Sequence, residues 1–349
     1  MPERERYPAP RTSTSPVRPS RRLLISAALG ALAGLRVLLI SRTTTVHRDF
    51  AQVWFAAREA LAGHDPYATI GPHLAFEWPA PLFYPLPAAL AVAPLSPLPE
   101  LWAVVTFTVI GGACFAWALM QHGYPPLLGF MSASVVFAAE LAQFSPILSA
   151  ALVIAPLSML WVIKPTIGAA FFVSRPSWWA VAGAVSFGGL AFAMQPHWVT
   201  SWRVALRATD LVGQGHFPYT APVTMPGGFL ALAALLRWRR PEARLIAALA
   251  CVPQTLLPYE AVPLFLVPRT LRECAIMLAL SYAVAAVMPP GNPFTGTRDA
   301  TGAAMVLLLY LPATLIVLRR PNEGHVPAWL AAHIATWPVW LRGRAISDA

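Results

Sequence analysis

His47 to Tyr84 reads HRDFAQVWFAAREALAGHDPYATIGPHLAFEWPAPLFY, and it is the first long polar interruption in a very apolar chain. Directly before it, Leu23 to Ile40 is uncharged apart from Arg36, which lies near the outer end and can snorkel to the interface. That run has the length of a membrane-spanning helix. Inside the stretch, Phe50, Val53, Trp54, Ala57 and Leu61 recur at helical spacing, with Arg58 and Glu59 off that face. This predicts an amphipathic helix lying on the membrane surface. Gly63 is its expected stop, and His64-Asp65-Pro66-Tyr67 is a turn.

Composition extends that reading to the whole chain. Of 349 residues, 57% are hydrophobic and 11% charged, with a mean hydropathy of +0.58. A soluble domain carries roughly 25% charged residues, so this chain has too few to cover a globular surface. The expectation is an all-α polytopic membrane protein whose outer face meets lipid. Its net charge of +10 does not point to nucleic acid. The basic residues stand in short clusters between apolar runs, as the positive-inside rule distributes them. Cys114, Cys251 and Cys274 lie in or beside apolar runs without metal-ligand spacing, so neither a disulfide framework nor a zinc site is expected. His64, His73 and Asp65 have no metal-site spacing either.

Residues 1–21 form a basic, Pro- and Ser-rich tail, expected to be disordered and cytoplasmic. The apolar run after Arg22 is too long for the core of a signal peptide. Residues 22–345 are one membrane domain, with 41–81 as a first outer loop. Residues 79–99 hold seven prolines, so 82–98 is a short, kinked element rather than a full span. Further runs follow at 101–120, 125–142, 146–163, 166–173, 178–194, 228–236, 245–267, 275–287 and 301–318, with 327–341 a last span or an interfacial helix. The total is about ten. Arg237, Arg239, Arg240 and Arg244 mark an inner end. Span parity then places Lys164 and Arg175 inside and the loop 195–225 outside. That loop carries Trp198, Trp202, Asp210, His216 and Tyr219, whose aromatics suit an interfacial belt. Pro258-Tyr259-Glu260 interrupts its run and is expected at the outer surface.

Asp49 stands at the start of the amphipathic helix. It suits either an N-cap or a general base beside a lipid-borne leaving group. His47, Arg48 and Arg58 are the cations nearest in sequence. Glu140 and Glu260 interrupt apolar runs, where an acid is costly unless paired. Lys164, the single lysine, stands before Pro165 between apolar segments.

Asp49-Phe50, then Trp54-x-Ala56, Gly63-x-Asp65-Pro66-Tyr67 and Phe83-Tyr84-Pro85-x-Pro87 resemble glycosyltransferase family 87 of the GT-C superfamily. Gln143-Phe-Ser145 stands where that family has Gly-Gln-x-Asn, Lys164-Pro165 resembles its later Lys-Pro, and Tyr259-Glu260 falls in its Asp-His-Tyr region. Departures are Ala142 for the Gly, Pro146 for the Asn, and Glu260 without the Asp-His pair. The resemblance covers roughly residues 22 to 320. It implies transfer of a hexose, such as mannose, from a polyprenyl phosphate to a lipid or glycan acceptor outside the inner membrane, with the N-terminus cytoplasmic. Asp49 is then the base. His47, Arg48, Trp54, Arg58, Asp65, Tyr67, Tyr84, Gln143, Lys164, Tyr259 and Glu260 are candidate substrate contacts. No cofactor is implied, and no nucleotide-binding glycine loop occurs. The competing class is a transporter or flippase, which would carry its polar groups at mid-membrane on paired repeats; an inactive member of the same superfamily is a third possibility.

Overall fold

A run of 23 largely apolar residues folds as α1, Pro19–Ser41, about 34 Å long and sufficient to cross a bilayer's hydrocarbon core. The computed structural model describes residues 17–42, 48–208, 220–288, 298–324 and Thr336. The chain is mostly helical. His47, Asp210, His216, Tyr219, the turn at 289–297, the expected last element at 327–341 and most of the basic tail lie outside the described residues.

The amphipathic helix forms where its periodicity put it, as α2, Asp49–Leu61. Its location differs from the expected membrane surface. Phe50, Val53, Trp54, Ala56, Ala57 and Ala60 are buried, and only Arg58 and Leu61 are fully exposed. Four alanines on its flanks let neighbours approach on several sides, and Phe50 stacks on Phe107 with ring centroids 4.2 Å apart. The helix is therefore packed within the protein on most of its sides, with no wide apolar face left for lipid. A short α3, Pro66–Thr69, follows, capped by the Asp65 side chain accepting from Tyr67 N at 3.0 Å. Ile70–Gly71 and Phe76–Glu77 pair as two parallel two-residue strands.

The proline-rich region gives only α4, Leu86–Val92, and a 3-10 turn at Ala93–Leu95, as its prolines require. α5, Glu100–Leu119, is the second long apolar helix. It runs antiparallel to α1, because Arg22 at the start of α1 donates to Trp117 O near the end of α5 at 2.9 Å. The two axes lie close through Gly30-x-x-x-Gly34. A Cβ on Gly30 would stand 2.5 Å from Val109 O. Small residues permit such backbone contact where lipid offers no hydrophobic drive.

The expected runs 125–142 and 146–163 each break in two. A 3-10 segment, Pro125–Met131, meets α6, Ala133–Glu140, at Ser132, whose hydroxyl accepts from Val135 N at 3.3 Å. α7, Ser145–Ala150, leads to a second 3-10 segment, Ala155–Ile163. α8, Pro165–Ser174, and α9, Trp178–Met194, follow; the latter has the bounds its hydropathy predicts. α10, Trp198–Ala208, returns to the first loop. Trp202 Nε1 donates to Phe83 O at 2.8 Å, and Gln195 Nε2 to His64 O at 2.5 Å. A 3-10 segment at Gly228–Arg237 precedes α11, Pro241–Cys251. The chain then runs irregularly to another 3-10 segment, Pro258–Leu266. α12, Leu271–Val287, starts with a Thr270/Glu273 capping box. α13, Arg298–Met305, passes through a π turn, Val306–Tyr310, into α14, Leu311–Leu318. Pro312 has no N–H to give, and the widened turn absorbs that missing bond. Ala300–Leu318 is the third helix long and apolar enough to cross a membrane among the described residues; four other apolar helical segments are shorter.

One parity-based pairing fails. Lys164 and Arg175 were expected on one face, but α8 separates them. Lys164 contacts Gln143 and Glu260, while Arg175 lies beyond the other end of α8, within electrostatic reach of His122. Glu260 is enclosed by protein at 5% exposure and meets Lys164 in the cluster that holds Asp49. The error has a physical source. Parity counting assumes that each apolar run crosses the membrane, and here several are half-length pieces.

Candidate active site

The site begins with how Asp49 is fixed. Its backbone N donates to Leu141 O at 3.1 Å, tying the start of α2 to the end of α6. Next to it, Arg48 is buried, and its guanidinium donates to Glu140 O at 3.0 Å and Val37 O at 3.4 Å. Glu140 O ends α6 and has no helical N–H to accept from, while Val37 O lies near the end of α1 and also accepts from the Ser41 hydroxyl at 2.8 Å. Arg48 is thus a clamp on two helix ends. It is not a cation held free for a substrate.

The Asp49 carboxylate accepts from Gln143 Nε2. Gln143 is buried, and its carbonyl oxygen accepts from Lys164 Nζ at 3.0 Å. Lys164 Nζ also lies 3.5 Å from Glu260 Oε1 and 4.9 Å from the centre of the Tyr259 ring. Thr255 Oγ1 donates to Glu260 Oε1 at 3.2 Å and shares a 3.0 Å hydrogen bond with the Tyr259 hydroxyl. One chain of contacts thus joins Asp49, Gln143, Lys164, Glu260 and Tyr259, residues drawn from four distant parts of the sequence.

The backbone bends sharply on both sides of this chain. Ala142, directly before Gln143, has φ +48°, and Leu256, directly after Thr255, has φ +52°. A side chain in that left-handed region costs roughly 1–2 kcal/mol, which glycine would avoid. At 142 the conformation suits the glycine of the resembled motif, and this chain adopts it with alanine. Strain held beside polar side chains is typical of functional sites.

Burial acts on Asp49 although part of its surface is open. The packed protein around the carboxylate, more than any single neighbour, pushes its pKa up to about 7. Lys164 pulls it down and Glu260 pushes it up. An acid poised near neutrality can accept a proton in one step and release it in the next.

The other predicted contacts divide. Tyr67 donates its hydroxyl to Tyr84 O at 3.1 Å, and the Tyr84 ring lies 5.4 Å from Phe144, so these two shape the wall behind Gln143. Asp65 is exposed and serves its turn. Arg58 stacks over Trp54 at 5.0 Å, nine residues along α2 from Asp49, or about 14 Å. Neither Arg58 nor Trp54 joins the cluster, and the cation beside Asp49 is Lys164. Thr255 and Arg36 were not predicted. Thr255 gave no signal, and Arg36 pairs with Glu140, an acid whose place in an apolar run already demanded a partner.

Gln143 also lines a cavity of about 400 Å³ between α1, α5 and α6. Its walls include Leu29, Leu32, Phe107, Phe130 and Val135, with Arg36 among them. Among the described residues, no group of three or more His, Cys, Asp or Glu side chains could hold a metal ion. No family model matches the chain, and no curated protein or solved structure does so either.

Proposed function

We propose that the chain is an integral membrane glycosyltransferase that moves a hexose from a polyprenyl phosphate to a lipid or glycan acceptor. The reading extends the resemblance to glycosyltransferase family 87. It includes about ten membrane passages, a cytoplasmic N-terminus and a site open to the outer side of the inner membrane. The observation that carries it is the contact chain from Asp49 through Gln143 and Lys164 to Glu260, set against an apolar cavity. A base, a cation and a greasy compartment together suit an acceptor hydroxyl, a departing phosphate and a hydrocarbon tail.

The reaction is a single displacement. Asp49 takes the proton from the acceptor hydroxyl as that oxygen attacks the anomeric carbon. The bond from that carbon to the phosphate oxygen breaks, and polyprenyl phosphate leaves with the electron pair. Configuration inverts. Lys164 offsets the charge that develops on the phosphate, and Gln143 holds the base and the cation in one frame. Glu260 and Thr255 fix the lysine.

A second reading draws on the burial of the Lys164–Glu260 pair. Buried charged pairs also serve ion-coupled transporters. Transfer of radiolabelled hexose from polyprenyl phosphate in membranes separates the two. The transferase reading expects product with the wild-type chain and loss with Asp49→Asn. Equal rates for the two proteins refute Asp49 as base. Uptake of solute without product favours transport.

A further inference from the structure

Arg36 and Glu140 form an ion pair that the proposed chemistry leaves unused. The Arg36 guanidinium donates to Glu140 Oε1. The pair is open to solvent, with the two side chains 49% and 33% exposed. Exposed pairs contribute about 0–1 kcal/mol, so little holds this one closed.

Its position is what matters. Arg36 lines the same cavity as Gln143, and Gln143 holds Asp49. Along α1 the cavity runs from Leu29 to Arg36, about 10 Å. The remaining walls are apolar except for Thr108 and Tyr282, whose hydroxyls already donate to Val104 O and Met131 O, both at 2.9 Å. The neighbouring cation, Arg48, is tied to two backbone carbonyls. Among the described residues, Arg36 is tied only to the carboxylate of the part-exposed Glu140.

We infer that Arg36 binds the phosphate of a single-chain lipid whose hydrocarbon fills this cavity, and that Glu140 is the counter-ion this phosphate displaces. The inference rests on the transferase reading for the identity of the lipid. A phosphate offers a guanidinium more charge and more oxygens than one carboxylate, in the same forked geometry. The apolar walls supply the selectivity for a hydrocarbon tail. Glu140 keeps the empty site neutral and opposes binding until it moves away.

The test is equilibrium binding of radiolabelled farnesyl phosphate to the full chain in nanodiscs. Farnesol, inorganic phosphate and phosphatidylglycerol serve as competitors. The wild type is expected to bind farnesyl phosphate at least tenfold more tightly than any competitor, about the factor a charged hydrogen bond gives. Arg36→Gln should weaken farnesyl phosphate roughly tenfold and leave farnesol unchanged, while Arg36→Lys, which keeps the charge without the fork, should fall between Gln and wild type. Glu140→Gln should act in the opposite sense and tighten binding a few-fold. An Arg36→Gln protein that binds as well as wild type overturns the inference. So does a Glu140→Gln protein weakened as much as Arg36→Gln, which would mean the pair only holds the fold. No wild-type binding, or equal competition by phosphatidylglycerol, does so too. If these shifts appear while the wild type transfers no sugar, the lipid site stands and the transferase reading falls.

Discussion

Near the start of α5, Asp49 and Glu260 share a single lysine through side-chain contacts. Beyond its other end, Arg269 and Arg320 pair with Glu242 and Glu273, and Arg237, Arg240 and Arg244 bond to backbone close by. The arginines at that second end bond largely to backbone. Arg244 donates to Ser174 O, Trp238 O and Arg239 O at 2.8 to 3.1 Å. Arg237 donates to Arg320 O at 2.7 Å, Arg240 to Pro321 O at 2.5 Å and Arg320 to Val267 O at 2.9 Å. Ser174 O ends α8, and the other carbonyls lie just past the ends of helical segments, where intrahelical donors run out. Charge bound to backbone cannot be exchanged without opening a helix end. Charge bound to another side chain can. The arginine-rich end is therefore scaffold, and the end with the single lysine is where a substrate can compete for a partner.

Replacing one acid at each end should separate the two roles most sharply. Asp49→Asn keeps the shape and removes the base. The transfer rate should fall by at least ~10²-fold, as measured in membranes. The fold should not suffer. Because the carboxyl is raised from 3.8 to about 7, its ionised form weakens the folded chain progressively as pH climbs through that window. At pH 8 the Asn variant should melt no lower than wild type. Glu242→Gln should do the reverse. It strips Arg269 and Arg320 of a shared, largely buried carboxylate, at a cost of about 3 kcal/mol. Thermal unfolding in detergent should show that loss, while the transfer rate per folded molecule stays near wild type. A Glu242→Gln protein with normal melting and slow transfer would break the division between the two ends.

The pH profile comes next in size. With Asp49 as base, the rate should fall about tenfold for each unit below pH 7 and level off above it. Lys164 holds the carboxyl down, so Lys164→Gln should move the midpoint to higher pH. Glu260 pushes it up, so Glu260→Gln should move the midpoint lower. Opposite shifts from two residues in mutual contact would be hard to explain by general damage. Shifts in the same direction would mean that Asp49 does not report on this pair.

Much of this was legible in the sequence, and the limit is physical. α1 and α9 follow from hydropathy, and α2 from a 3.6-residue period, because those signals are local. Lys164 and Glu260 could be named because a charge inside an apolar run needs a reason, Asp49 from its place at the start of a helix, and Gln143 and Tyr259 from the family resemblance. Their meeting could not be read, because it depends on where the half-length pieces at 125–140 and 145–163 turn. For the same reason, parity put Lys164 and Asp49 on opposite faces, whereas the two side chains meet through Gln143. The burial of α2 was hidden too. Of its four alanines only Ala57 fell on the apolar face the spacing defined, yet all four are buried and let neighbouring elements close around it.

The smallest effect tests why the scaffold end uses arginine. Arg244 reaches carbonyls of Ser174, Trp238 and Arg239 with three different nitrogens. A planar fork can span that set, whereas an ammonium on a flexible stem presents one point. Arg244→Lys keeps the charge and should still cost about 1–2 kcal/mol, since at least one helix-end carbonyl loses its donor. Thermal unfolding should register a modest drop, with the pH profile of transfer unmoved. The matching change near the site, Lys164→Arg, keeps charge as well but puts a bulkier fork between Gln143 and Glu260, and it should disturb transfer before stability. If Arg244→Lys melts like wild type, charge alone explains the basic cluster. The ends would then differ only in which face of the membrane they mark.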